Sequence, residues 1–416
     1  MNRVYPRVFG VIAFAILVLA SASAALTQTA PPSSDKSAPK AVEAAGYVFV
    51  SGQGPRRADG TVPGNFADQV RQALENVKTA LESAGLTTDH LVYTQVYLED
   101  VQRIRELDEV FSSYFAKDPP ARAVLGVARV PDEAIQINAI AVRDPQGKQA
   151  VSVPGVKPNK AFSAGMLSHD QLFISTMPGR DAATGTVPQD PALQVNLALD
   201  GVKSVVQTAG LTMAHMVFVN PYLTAEIPMR VMNEQYAKRF EFGNTPGRAT
   251  IEVSSLPEGA HIAYTGIAVR DLSQRLAIRP KNMPPSPTAS PCVFAGDILY
   301  CSAKSGFIPG PNGGVYAASP ADQTRQTMRN LLDNLEEAGM SFDQVVSTTI
   351  YLDDLSDAAS FAKVYKKYFR DTLPAQTIVQ QLPPGNRKAD EEGRYPTLEQ
   401  VSLVAVKGGG TGNPNK

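Results

Sequence analysis

Apolar residues recur at three-to-four spacing along residues 191–209, where Val195, Leu199, Val202 and Val206 fall on one face of an otherwise polar stretch. That period predicts an amphipathic helix, and Gly210 suits the position that closes one. Ahead of the helix, a strand near 160–164 and an apolar strand over 171–176 are predicted, joined to it by a Gly/Pro-rich loop at 178–188. After it come a strand over 215–222, a second helix over 228–240, a penultimate strand opening at Pro246, Gly247 and Arg248, and a last strand over 261–269. The order is β-β-α-β-α-β-β. Both helices can lie on one face of a mixed sheet, so the unit is of the α+β class.

The pattern occurs three times. QVRQALENVKTALESAG (69–85), QVNLALDGVKSVVQTAG (194–210) and QTRQTMRNLLDNLEEAG (323–339) share one Gln-to-Gly frame. Each is followed by a strand ending in Tyr-Leu, at Tyr97, Tyr222 and Tyr351. The closing glycines lie about 125 residues apart, the length of a domain and too long for a solenoid repeat. The recurring tyrosines suit a shared core role, and Gln69, Gln194 and Gln323 suit bonds to backbone at a helix start. The copies are placed at 41–145, 150–272 and 288–407, with a Pro-rich linker at 273–287 and a flexible tail at 408–416. The first strand of copy one is either missing or supplied by residues 40–45, and copy three carries a charged, solvated insertion at 386–394. Each sheet keeps one bare apolar face. Three such units can bury those faces by closing around a shared axis, and one chain makes the association intramolecular. The expected assembly is a monomeric pseudo-trimer.

Formal net charge is −1, with 39 Lys and Arg against 40 Asp and Glu interspersed along the chain. Nucleic-acid binders carry a basic face, so no nucleic-acid partner is expected. The four histidines are scattered and no CxxC or HxxxH occurs, so no metal site is expected. Arg3 and Arg7, an apolar run over 8–20 and Ala22-Ser23-Ala24 describe a secretory signal over 1–24, followed by a leader over 25–40. The run is shorter than the roughly 20 residues a membrane span needs. The expected mature protein is therefore exported, to the periplasm or as a secreted product, with no stable membrane anchor after cleavage. PCVFAGDILYC (291–301) reads as a hairpin turning at Gly296 and Asp297, which sets Cys292 opposite Cys301. A cross-strand disulfide and a pair of reduced core thiols both fit.

Five features in order, repeated with decay, resemble the RidA/YjgF family, also called L-PSP endoribonuclease-like. They are FVSGQG (49–54), the Gln-to-Gly helix, Tyr-Leu-x-Asp ending at Asp100, Pro120-Ala121-Arg122, and a last strand closing with Ala-Ile-Ala-Val-Arg at Arg143. The resemblance covers nearly all of the mature chain. It implies a chorismate-mutase-like α+β fold and trimers around a barrel-like centre, with ligand clefts between subunits; here the three tandem RidA-type copies would play the subunits. It also implies hydrolysis of reactive 2-imino or enamine acids. The Pro-x-Arg arginine would grip the substrate carboxylate with its planar fork, a glutamate on the final strand would activate water, and the serine of Ser-Gly would line the cleft.

Carried onto this chain residue by residue, the glutamate position holds Gln136, Ala263 and Gln400, so no copy keeps the acid. The arginine position holds Arg122, Arg248 and Gln376, and Ser-Gly is intact only at Ser51 and Gly52. The expected ligand-binding residues are thus Ser51, Gly52, Arg122, Gln136 and Arg248, with Arg122 and Gln136 as catalytic candidates. Ser51, Arg122 and Gln136 form the best-preserved set, and copy three is read as a structural third. Two acid–base substitutes come into view: His261, two residues before Ala263 and on the same strand face, and Glu399, beside Gln400, which strand alternation sends to the opposite face unless the register beside the insertion shifts by one residue. The leading expectation is binding of a small carboxylate metabolite with weak or lost imine hydrolysis, since a glutamine can hold a water but cannot take its proton. An active, metal-independent enamine/imine deaminase of the 2-iminobutanoate/2-iminopropanoate type, using Arg122, is the alternative. A structural or protein-binding pseudo-trimer is another. No cofactor is implied.

Overall fold

The structure is a computed structural model that describes residues 37–115, 117–281, 283–310 and 313–409. The expected signal over 1–24, most of the leader and most of the tail lie outside the described residues.

Copy one comprises β1 (Ala41–Ala44), β2 (Tyr47–Gln53), α1 (Phe66–Ser83), β3 (Leu91–Leu98), α2 (Ile104–Ser112), β4 (Ala121–Gly126) and β5 (Ile135–Val142). Its sheet runs β1-β2-β5-β3-β4, with β3 and β4 parallel and the other pairs antiparallel. The weak segment at 41–44 does supply the first strand. Copy two comprises β6 (Gln149–Val151), β7 (Gly165–Leu167), β8 (Gln171–Pro178), α3 (Pro191–Thr208), β9 (Met216–Leu223), α4 (Met229–Ala237), β10 (Gly247–Arg248), β11 (Ile251–Glu252) and β12 (Ile262–Val269). Its first core strand lies a few residues beyond the expected 160–164. Copy three comprises β13 (Arg275–Ile278), β14 (Cys292–Ala295), β15 (Ile298–Lys304), α5 (Pro320–Glu337), β16 (Val345–Leu352), α6 (Ala358–Tyr365), β17 (Ala375–Gln380) and β18 (Glu399–Val406). The stretch expected to be wholly linker opens with an edge strand: β13 pairs antiparallel with β14. In β14 and β15, Cys292 stands opposite Cys301 and the two are joined in a disulfide, their Cα atoms 4.0 Å apart.

Each helix pair covers one face of its own sheet. Asn65, Asp190 and Ser319 cap α1, α3 and α5 by accepting a backbone N–H in the first turn. Apolar side chains of α1 (Val70, Leu74, Val77, Leu81) pack on Val48, Val96 and Ile137 of the sheet beneath. The opposite faces meet each other. Tyr47, Phe49, Phe173, Phe218, Val293, Tyr300 and Val346, drawn from all three copies, form one buried cluster. Nearer the other end of the axis, Tyr97, Tyr222 and Tyr351 are buried together with Leu125, Val253 and Val379. Gln95 Nε2 donates to the Tyr97 hydroxyl at 2.8 Å and to the Tyr222 hydroxyl at 3.0 Å, while the Tyr97 and Tyr351 hydroxyls lie 3.3 Å apart. The tyrosine that recurs in every copy is the point where the copies converge. Burial raises the pKa of all three phenols, so they stay neutral hydrogen-bonding groups at ordinary pH.

One serine per copy joins it to its neighbour. Ser175 Oγ accepts the backbone N–H of Arg122 at 2.7 Å and donates to the Ser163 carbonyl. Ser302 Oγ accepts from the N–H of Arg248 at 2.8 Å and donates to the Ser290 carbonyl. Ser51 Oγ accepts from the N–H of Gln376 at 2.9 Å and donates to the Pro39 carbonyl. The third joint closes the ring from copy three back to copy one.

Copy three departs from its sisters in its core. Leu98 pairs with Ile135, Leu223 with Ile262, and Leu352 with Glu399, so a carboxylate occupies the place of two isoleucines. Glu399 is 2 % exposed; its Oε1 accepts from Thr327 Oγ1 and its Oε2 has no partner. Burial pushes this carboxyl up to about 8, against which the Thr327 bond is a smaller pull downward.

Three outcomes are expected. Because the copies share one chain, the urea-unfolding midpoint should not move with protein concentration. Phe173→Ala, which empties a fully buried site between copies, should cost about 3–5 kcal/mol in the same assay. The folded-state pKa of Glu399 lies above its unfolded value, so its contribution is full at acid pH and lost as pH rises from about 4.5 through about 8. Stability measured across that window should fall with rising pH, and Glu399→Gln should flatten the slope.

Candidate functional site

The last strand of each copy presents one residue opposite the axial tyrosine: Gln136 pairs with Tyr97, Ala263 with Tyr222 and Gln400 with Tyr351. The three positions are equivalent in register. What each faces is decided by the ring. The strand bearing Arg122 or Arg248 lies against the next copy, so each cleft is built from two copies.

The cleft between copies one and two is a cavity of about 160 Å³ lined by Asp108, Arg122, Phe162, Thr176, Arg180 and Ala263, among others. Arg122 stands on β4 with its side chain 2 % exposed, held between the Phe111 and Phe162 rings at 4.8 and 4.9 Å. Its Nη2 donates to Asp108 Oδ1, while Nη1 is buried without a partner, as is Thr176 Oγ1 across the cleft. Desolvation works against the guanidinium charge and Asp108 works for it. At the rim Arg180 pairs with Glu258, whose backbone sits in the left-handed region at φ 58°. An arginine with a free donor in a partly apolar cavity is suited to a planar anion. No acid stands at Ala263 to activate water.

The cleft between copies two and three is a cavity of about 300 Å³. Arg248, Thr250, Ser302, Lys304 and Gln400 line it, and Met283 and Ser286 of the Pro-rich segment form a wall. Arg248 Nη1 donates to Asn233 Oδ1 at 2.8 Å, and the guanidinium lies 5.2 Å from the Tyr236 ring. Burial lowers its pKa from the usual arginine value, though a guanidinium stays charged. Copy three is therefore half of an arginine cleft as well as a structural third.

Between copies three and one the arginine position holds Gln376, and the space is filled. A Cβ added at Gly52 would lie 2.6 Å from the Gln136 side chain, which packs directly on that backbone. Gln136 Oε1 is buried without a partner. The set expected from one copy is thus divided: Ser51, Gly52 and Gln136 come together with Gln376, whereas Arg122 faces Thr176 and Ala263, and Arg248 faces Gln400. Ser51 is a joint between copies, its hydroxyl engaged by Pro39 and Gln376.

Neither substitute base reaches a cleft. His261 turns to Glu226, with Nδ1 3.6 Å from Oε2, and is absent from the lining of the Ala263 cleft. Glu399 points to Thr327 under α5, the opposite face from Gln400, as strand alternation requires. Asp108, Phe162, Arg180 and Lys304 carry no signal in the sequence, because each reaches its cleft only through packing between elements distant along the chain. Among the described residues no group of three or more His, Cys, Asp or Glu side chains is placed to hold a metal ion.

Comparison with known proteins follows this architecture. A family model described as Endoribonuclease L-PSP matches residues 27–143, 154–270 and 282–386. A RutC family protein of Pyrococcus horikoshii is 37% identical over 108 residues, covering 25% of this chain and 86% of that protein. The 2-iminobutanoate/2-iminopropanoate deaminase of Escherichia coli is 37% identical over 107 residues, covering 24% of this chain and 84% of that enzyme. A crystal structure of a chorismatase aligns with 76% of this chain and 93% of its own, at a TM-score of 0.51 and 13% identity, a likeness of fold. Each single-domain relative matches about one copy, and three copies fold here as one ring: the chain belongs to the Endoribonuclease L-PSP, or RidA, family, in triplicate.

Proposed function

We propose that the protein binds small carboxylate-bearing metabolites of the 2-imino or enamine acid class in the two arginine clefts, and that its own hydrolysis of them is weak. The observation that carries this reading is the unpartnered donor of buried Arg122 in a cavity where Ala263 holds the position of the activating acid and the two lining carboxylates, Asp108 and Glu258, are each paired with an arginine. A charged guanidinium with an open hydrogen-bonding site is costly to bury, and a carboxylate ligand would satisfy it. The deaminase among the relatives supports the class of ligand. The absence of the acid supports slow turnover, because general-base help contributes typically 10² to 10⁴ in rate. The near-even charge balance gives no support to RNA as a substrate. Export of the mature protein belongs to the same proposal and rests on the N-terminal sequence alone.

The decisive assay is hydrolysis of a freshly generated 2-imino acid. Wild type is expected to run close to background. Restoring the acid should change this: Ala263→Glu opposite Arg122, or Gln400→Glu opposite Arg248, should raise the rate by about 10² to 10⁴. Fast wild-type turnover that Arg122→Ala abolishes would replace the binding reading with the enzyme reading.

Carboxylate binding can be read separately. Asp108 competes for Arg122, so Asp108→Asn should tighten carboxylate binding at that cleft in calorimetry, and Arg122→Met should remove that site while leaving the Arg248 site. Arg122→Met should also cost less than the roughly 3–5 kcal/mol of breaking a wholly buried pair, because Asp108 is 33% exposed and stays hydrated.

A further inference from the structure

The cleft between copies two and three differs from its neighbour in holding a second cationic group. Gln53, Met177 and Lys304 occupy one register position, opposite Ile137, Tyr264 and Val401 of the adjoining strands. Only copy three puts an amine there. Lys304 lines the same cavity as Arg248, and none of the residues lining it is an Asp or Glu. Among the described residues no carboxylate pairs with Lys304. A lysine placed for structure alone ordinarily reaches solvent or a counter-ion, and this one is turned into a cleft beside an arginine.

We propose that Lys304 is a nucleophilic amine that forms a covalent imine with a 2-imino or 2-oxo acid whose carboxylate is held by Arg248. This rests on the carboxylate-binding reading of that cleft. Desolvation lowers the lysine pKa, which enlarges the neutral, nucleophilic fraction at ordinary pH.

The chemistry balances without a further reactant. The neutral Nζ adds to C2 of the protonated 2-imino acid, giving a tetrahedral diamine. A proton passes between its nitrogens, the C2–N bond to the original nitrogen breaks, and ammonia leaves. The protonated imine to Lys304 remains. Water then adds to C2, the C2–Nζ bond breaks, and the products are a 2-oxo acid and protonated Lys304. An amine attacks here without a base to activate it, so the imine forms where Gln400 stands in place of an acid, while its hydrolysis, with no base to activate water, stays slow. A 2-oxo acid offered to the protein runs the second half backwards to the same imine.

Reductive trapping tests it. The full chain is incubated with pyruvate and sodium borohydride, digested and mapped by mass spectrometry. Lys304 should acquire a carboxyethyl group at least about tenfold faster than the exposed Lys388, as proximity to a bound carbonyl allows. Lys304→Met, the residue copy two carries at this position, should abolish that modification, and Arg248→Ala should reduce it to the rate of surface lysines. Calorimetry of pyruvate binding without reductant separates the two readings. A binding site that Arg248→Ala removes, with Lys304 modified no faster than Lys388, would overturn the covalent role and leave carboxylate binding standing. Absence of both binding and trapping would overturn both.

Discussion

The apolar sheet faces that meet on the axis hold the molecule together. Each sheet has helices for one side only, and the other side carries Tyr47, Phe49, Phe173, Phe218 and Tyr300, which no element of the same copy covers. Burying them requires two more sheets. Once the sheets meet, polar groups along the seam need partners, and three equivalent serines supply them by accepting a backbone N–H from the neighbouring copy. The axial tyrosines close the seam near the other end through hydroxyl contacts shared with Gln95. Hydrophobic burial drives closure, and these hydrogen bonds fix its register.

The clefts are consequences of that closure. An arginine on the edge strand of one copy is carried against the serine strand of the next, so the joint that secures the ring also builds the walls of the site. Placing three copies on one chain lets the walls diverge, since a change in one copy alters one cleft only. Arg122 faces Thr176 and Ala263, Arg248 faces Lys304 and Gln400, and Gln376 faces a Gly52 already occupied by Gln136. The same freedom reaches the core of copy three, where Glu399 and Thr327 stand in place of an isoleucine and an alanine. A symmetric trimer would carry that buried carboxylate three times.

The sequence by itself determined the repeat, the helices and most strands, because period and capping are local properties that survive when identity decays. The Gln-to-Gly helix frame and the hairpin setting Cys292 opposite Cys301 were legible in this way, and so was the placement of Glu399 on the opposite face from Gln400. Only the tertiary structure decided which residues share a cleft. Arg122 and Gln136 are close along the chain, yet β4 and β5 lie on opposite flanks of β3, and the ring sends the first toward copy two and the second toward copy three. The direction in which three tandem sheets close depends on how their twisted faces pack, and no pattern within one copy records it. Lys304 and Asp108 stayed silent for the same reason: their environments are made by another segment of the chain arriving beside them.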